Sequence, residues 1–222
     1  MTVRVEVNGR PLTEYLLRTA GWTLEAFLAR APENAYWEFV RGEVLMHSPV
    51  SAEHQDLVRF LLRLLDGYCE ARGWGKVLMG PAALQVLPEV IREPDLFVLD
   101  PEEARRAQGV PLQVRPVLVV EVTSPATRTL DLEDKAREYA QAGIPEYWVV
   151  DRERKDLWLH RREEGQEHYQ VTRQTLGVVV SQSVPGFWLQ AEWLWEQPLP
   201  PVRRCLDRIL QHPPKDLQEV VS

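Results

Sequence analysis

Three ionisable residues stand in this sequence where an apolar core would not place them. Asp95 opens the strand-like run Asp95–Leu99 and shares a pleated face with Phe97 and Leu99. Glu121 lies near the end of the β-branched run Val117–Thr123, on the face of Val119 and Thr123. An ionised carboxylate buried there without a partner costs several kcal/mol, so Glu121 calls for a cation, a hydrogen-bond network or a cleft reached by solvent. Lys135, one of only four lysines, sits beside the apolar stripe Leu132, Ala136 and Tyr139 of the next helix, positioned to lean back over the strand end. Two carboxylates on neighbouring strand ends suit a hard cation such as Mg²⁺, which takes oxygen ligands and keeps several waters. A lysine beside them can orient an attacking water or offset charge developing on a phosphoryl group. The same three residues also fit a plain salt bridge, with Lys135 pairing Glu121 or Asp131.

Other candidates carry less. Glu38 lies in the middle of a predicted hairpin, opposite Leu45, and reads either as a third acidic group at the site or as a charge paired with an arginine. His54 shares a helical face with Leu57, Val58, Leu61 and Leu65, which fits a hydrogen-bonded core histidine as well as a catalytic one. Glu53 is a first-turn acid of the kind the helix dipole favours, with a metal-site carboxylate as the alternative. Asp131 reads as a helix cap. His160 and His168 share no ligand-like spacing with a third group, and no glycine-rich phosphate loop or Gly-x-Ser-x-Gly elbow is present.

These residues need elements to hold them. Leu24–Arg30 reads as a helix capped by Thr23, after a short strand near Val3–Val7. Tyr36–Val40 and Glu43–His47 flank Arg41-Gly42 as a two-residue hairpin. Ser51 opens a long helix to about Ala71, stopped by Gly73. Strands follow near Lys76–Met79, Leu84–Leu87 and Asp95–Leu99, then an acidic turn at Asp100-Pro101 and a loop with Arg105 and Arg106. After the strand Val117–Thr123, a helix runs from about Asp131 to Ala142, with Gly143 and Pro145 as stop signals. Tyr147–Val150, Leu157–His160, His168–Thr172 and Val178–Val180 read as strands, and Phe187–Trp195 returns to the core. The order predicts a mixed α/β domain around one central sheet. It spans residues 1–195, with 1–22 as an N-terminal extension and 196–222 as a polar tail carrying a helix near Val202–Gln211.

The bulk composition narrows the possibilities. The 222 residues carry 33 acidic and 26 basic side chains, a formal net charge of −7, so nothing draws the whole chain toward nucleic acid; such binding needs a local patch or a metal. No apolar run is long enough for a membrane span and the amino terminus lacks a secretion signal's apolar core, which predicts a soluble cytoplasmic protein. Two cysteines, Cys69 and Cys205, cannot build a disulfide framework or a cysteine zinc site. Eight tryptophans in strand patterns suggest core or a subunit interface, hence a homo-oligomer.

Pro94-Asp95, followed by Glu121-Val122-Thr123 after an apolar strand, resembles the PD-(D/E)xK nuclease signature. The wider run Val120–Pro125, Asp131, Lys135, Tyr139 and Gly143–Asp151 is similar to the Uma-two family of putative restriction endonucleases, a branch of that superfamily. The hairpin Tyr36–Met46 and the segment Ser48-Pro49 to His54 match it too, so the resemblance covers roughly Leu24 to Trp195. It implies a restriction-endonuclease-like core, a central mixed sheet flanked by helices with extra β-hairpins. The activity implied is hydrolysis of DNA phosphodiester bonds with Mg²⁺ or Mn²⁺, the metal held by Asp95, Glu121 and the main-chain carbonyl of Val122. The signature's lysine would fall at position 123, where this chain has threonine, and the resemblance implies Lys135 as its substitute. Arg59, Arg63, Arg105, Arg106 and Arg128 are candidate phosphate contacts. A nuclease fold kept for binding or assembly, and a metal-dependent hydrolase of RNA or small phosphodiesters, use the same residues.

Overall fold

The computed structural model describes residues 14–32, 36–163 and 165–214, together with the backbone of 6–7 and 10–11. The chain opens with a short antiparallel ladder of β1 (Glu6–Val7) and β2 (Arg10–Pro11); the rest of the strand expected at Val3–Val7 lies outside the described residues. β3 (Leu16–Ala20) leads to α1 (Leu24–Arg30), where the Thr23 hydroxyl accepts from the Ala26 amide as its cap. β4 (Trp37–Val40) and β5 (Glu43–His47) form the expected hairpin, with Glu38 opposite Leu45. Arg41 and Gly42 turn it at positive φ, 45° and 89°, the geometry of a two-residue turn that matches strand twist.

Next comes α2 (Ala52–Arg72), capped by Ser51 and ended by Gly73 in the left-handed conformation. β6 (Lys76–Met79), β7 (Leu84–Leu87), β8 (Val90–Arg92) and β9 (Leu96–Leu99) follow, then α3 (Pro101–Arg106) and β10 (Leu118–Val122). A π-helical stretch, Leu130–Lys135, runs straight into α4 (Ala136–Gln141). The remaining strands are β11 (Glu146–Asp151), β12 (Asp156–Arg161), β13 (Gln170–Gln174), β14 (Val178–Val180) and β15 (Trp188–Gln190). A 3₁₀ turn at Ala191–Leu194 and α5 (Val202–Gln211) complete the described chain.

The main sheet has the order β13-β12-β11-β10-β9-β6, and only its β10–β11 pair is parallel. This is the mixed sheet the sequence predicts. Alternation sends Leu96, Val98, Val120 and Trp148 to one face, where α2 and α5 cover them, and Phe97, Val119, Tyr147 and Val149 to the other, beneath Tyr139 of α4. Burial on both faces explains the unbroken apolar run of β9 and that of β10 up to Glu121.

Four expectations need correction. The hairpin does not stand alone: β3 and β8 were not foreseen, and they extend it into a second, five-stranded sheet of order β3-β5-β4-β8-β7 around Phe27, Phe39, Val44 and Ile91. Residues 101–106 are helical rather than loop, because Asp100 accepts from the Glu102 and Glu103 amides with Pro101 at the first position. Asp131 is no cap; it lies inside the π-helical stretch, buried and facing Lys135. The C-terminal helix is part of the main core, with Cys205 and Ile209 buried against α2. Trp148, Trp188 and Trp193 also find their cover within the chain.

A candidate metal-assisted site between the two sheets

The main chain passes from the second sheet to the first through Glu93-Pro94-Asp95, and this connection sets the site. It sets Asp95, just before β9, beside the end of β10 and Glu93 against Glu38 of β4, so groups from both sheets and from the helical segment after β10 meet. Asp95 and Glu121 interlock: the Val122 amide donates to Asp95 Oδ2 at 2.8 Å, and the Asp95 amide donates to Glu121 Oε2 at 3.3 Å. Lys135 leans over the strand end and places Nζ 2.8 Å from Glu121 Oε1, with Asp131 at 3.1 Å and Glu38 at 3.5 Å. The Tyr139 hydroxyl donates to the same Glu121 oxygen at 3.2 Å. The functional and the salt-bridge readings of Lys135 therefore rest on one arrangement, in which it pairs with both Glu121 and Asp131.

Glu38 joins the cluster from the second sheet and also takes an arginine partner. Arg92 donates to Glu38 Oε2 at 2.8 Å and to Glu138 Oε2 of α4, tying sheet to helix at 1% exposure of its side chain. His47 lies 3.0 Å from Glu38 Oε2, and His54 from α2 lies 3.2 Å from Asp95 Oδ1. Glu53 is exposed and stays on the rim. Asp95, Glu121, Lys135, Asp131, His54 and Glu93 line an open cleft of about 660 Å³, together with the loop Val122–Pro125. Glu38 lies behind Lys135, outside this lining.

Charge is unbalanced here. Glu38, Glu93, Asp95, Glu121, Asp131 and Glu138 gather around the buried cations Lys135 and Arg92, with Arg41 reaching Glu138 from the surface at 3.7 Å. Burial and the neighbouring Asp95, Asp131 and Glu38 push the Glu121 carboxyl up to about 8, against the pull of Lys135. Burial and the charge on Glu38 likewise push Glu93 up to about 8, and its Oε2 is buried without a hydrogen-bond partner. Burial disfavours charge on Glu38 as well, but Lys135, Arg92 and His47 outweigh it and hold that carboxyl well below its ordinary value. Lys135 is buried too, yet Asp131, Glu121 and Glu38 keep its ammonium firmly protonated. His54 is raised, because its bond to Asp95 and the nearby carboxylates outweigh desolvation.

Among the described residues, no three His, Cys, Asp or Glu side chains form a group able to hold a metal by themselves. Asp95 and Glu121 bring hard carboxylate oxygens together at the strand end, with Val122 beside them in the cleft lining. Of the arginines singled out in the sequence, Arg128 is engaged with Asp151 at 2.9 Å and Arg106 with Glu103 at 3.0 Å, while Arg59 and Arg63 border an adjoining groove. Sequence reasoning missed Arg92, Glu93, His47 and Glu138. The available signal was the run Arg92-Glu93 abutting Pro94-Asp95, and the helical spacing of Glu138 from Lys135.

A family model described as Uma2, putative restriction endonuclease, matches residues 24–192. Among solved structures, the chain is similar to a crystal structure described as a putative nuclease belonging to DUF820 from Anabaena variabilis ATCC 29413. The TM-score is 0.65 at 13% identity, over 78% of this chain and 97% of that one, a likeness of fold. No curated protein matches. Among the described residues, no helix is long and apolar enough to cross a membrane.

Proposed function

The chain belongs to the Uma2 family of putative restriction endonucleases, and from that premise we propose that it is a metal-dependent endonuclease hydrolysing phosphodiester bonds in DNA. The carrying observation is the meeting of Asp95, Glu121 and Lys135 in one open cleft, with more carboxylates than cations around it. Asp95, Glu121 and the Val122 carbonyl would hold Mg²⁺ or Mn²⁺; their hard oxygens and the surplus negative charge fit such an ion. When bound, the metal supplies Lewis-acid polarisation of the phosphoryl group and a more acidic water.

The chain's own residues supply the rest. The Val122 amide and His54 fix Asp95, and the Asp95 amide and Tyr139 fix Glu121. Lys135, held protonated by its carboxylates, is a hydrogen-bond donor rather than a base. Its role is to orient the attacking water and to offset charge on the pentavalent phosphate. Glu38 reaches Lys135 from the second sheet and, anchored by Arg92, sets where the ammonium points.

Calorimetric titration of Mn²⁺ into wild type, Asp95→Ala and Glu121→Ala, with plasmid nicking on the same samples, tests this reading. Binding and nicking should disappear together in both variants. Lys135→Ala should retain metal and lose nicking by about 10²-fold or more, the scale of one transition-state donor. A wild type that binds no metal overturns the assignment. A second reading, a nuclease fold kept for binding, draws on the fact that three carboxylates already engage Lys135; it requires that Asp95→Ala leave partner binding intact. Turnover of a chromogenic phosphodiester above any DNA cutting would move the substrate to small esters.

A further inference from the structure

A second groove, of about 480 Å³, continues the catalytic cleft past the start of α2. The two share Glu53, Arg152 and Gln197. Arg152 marks their junction, donating to the main-chain carbonyls of Glu53 at 3.3 Å and Glu196 at 3.4 Å, so α2 and the C-terminal segment both fix it. Beyond it, Arg59 and Arg63 line the groove one helical turn apart, about 6 Å along the helix axis. Arg59 is paired with Asp56 at 2.7 Å, whereas Arg63 makes no ion pair among the described residues. Phe60 and Pro198–Val202 complete the groove with apolar surface.

The surrounding charge gives these arginines meaning. The chain is net negative and the cleft is lined with carboxylates, so a polyanion finds little attraction at the cutting site itself. In the groove the three guanidiniums outnumber the two carboxylates, Glu53 and Asp56. Phosphate contacts away from the reacting bond fix the register of a nucleic acid without reading its sequence. We propose that this groove grips the polynucleotide backbone where it leaves the catalytic cleft, through Arg59, Arg63 and Arg152. The inference rests on the nuclease reading and adds where the substrate's flank lies. Much of this groove is built from residues beyond the family match, namely Gln197–Val202.

The test uses the full chain with Mn²⁺, a fluorescein-labelled 12-nucleotide single strand, and bis(p-nitrophenyl) phosphate as an ester too short to leave the cleft. Arg59→Glu/Arg63→Glu should raise KM for the 12-mer about tenfold or more while leaving its kcat and the small-ester turnover unchanged. The salt slope of 12-mer binding should flatten by about 0.7 for each phosphate that the variant no longer neutralises. Arg59→Lys/Arg63→Lys, which keeps the charge, should stay within a few-fold of wild type. Equal KM in wild type and the Glu variant overturns the groove and leaves the nuclease reading standing. So does equal weakening of 12-mer and small ester, which would mean only a general field effect. A wild type that neither binds nor cuts the 12-mer, yet turns over the small ester, also removes the groove as a nucleic-acid path. Failure with both substrates brings down the nuclease reading itself.

Discussion

Two histidines, one buried and one half-buried, respond to their surroundings in opposite directions, because different groups face them. His54 meets Asp95 and is raised; His160 lies between the rings of Tyr147 and Tyr169, its Nδ1 without a partner, and burial pulls it down to about 4. A proton refused by the folded state but taken by the unfolded chain links stability to pH. Between the ordinary value of 6.5 and about 4, the unfolded chain binds more protons, so this contribution is intact above 6.5 and is lost as pH falls through that window. Its full size is about 3 kcal/mol, of which about 2 kcal/mol is lost by pH 5. Urea unfolding of wild type and His160→Phe at pH 7 and pH 5 should show the variant gaining about that amount on wild type at the lower pH. Spacing alone assigns His160 no role, since the rings beside it come from two other segments of the chain. Asp95 and Glu121 were legible because one opens an apolar strand and the other interrupts one, and Lys135 because it sits beside an apolar helical stripe. Arg92 and Glu138 were not, since a charge at a strand end or in a helix looks solvated until a second sheet arrives to bury it.

Helices declared their limits better than strands did. Ser51 and Gly73 bound α2, and Thr23 caps α1, because a side-chain acceptor or a left-handed residue satisfies local backbone groups whatever the tertiary fold. β3 and β8 escaped because short strands are stabilised by their partners, not by their own composition. The π-helical stretch before α4 likewise has no sequence signature, yet it faces Asp131 and Lys135 together toward the sheet. Gly75 shows how one residue limits an element. It has φ +68°, and a Cβ there would stand 2.5 Å from the Leu99 carbonyl oxygen, at the join of β6 and β9. Gly75→Ala should therefore cost about 2 kcal/mol or more, read as a lower urea midpoint at unchanged slope. Because Asp95 immediately precedes β9, nicking should fall with it; an unchanged midpoint would mean that β6 can shift away from β9 without loss.

Across the whole molecule, the main question is what keeps two sheets acting as one body. The chain crosses between them three times, at 48–75, 80–83 and 93–95, and Arg92 of the second sheet adds an electrostatic tie, its guanidinium bridging Glu38 of the same sheet and Glu138 of α4, which packs on the main sheet. Removing one member of a buried charge network leaves the others desolvated and uncompensated, at about 3–5 kcal/mol. Arg92→Met should show that loss. Arg92→Met/Glu138→Met should recover part of it, because the α4 carboxylate, left with only the exposed Arg41 at 3.7 Å, goes too. Glu38 keeps Lys135 and His47 as partners, so its charge survives in both variants and its pull falls more heavily on Lys135. Urea melts followed by tryptophan fluorescence and far-UV circular dichroism should coincide for wild type, the mark of a single cooperative unit. In Arg92→Met the two probes should separate, since Trp22 and Trp37 pack with the second sheet while Trp148 and Trp188 belong to the main core. If the transitions still coincide, the three covalent crossings and the Lys135–Glu38 pair suffice to hold the sheets together, and the buried arginine serves the position of Glu38 rather than the unity of the fold.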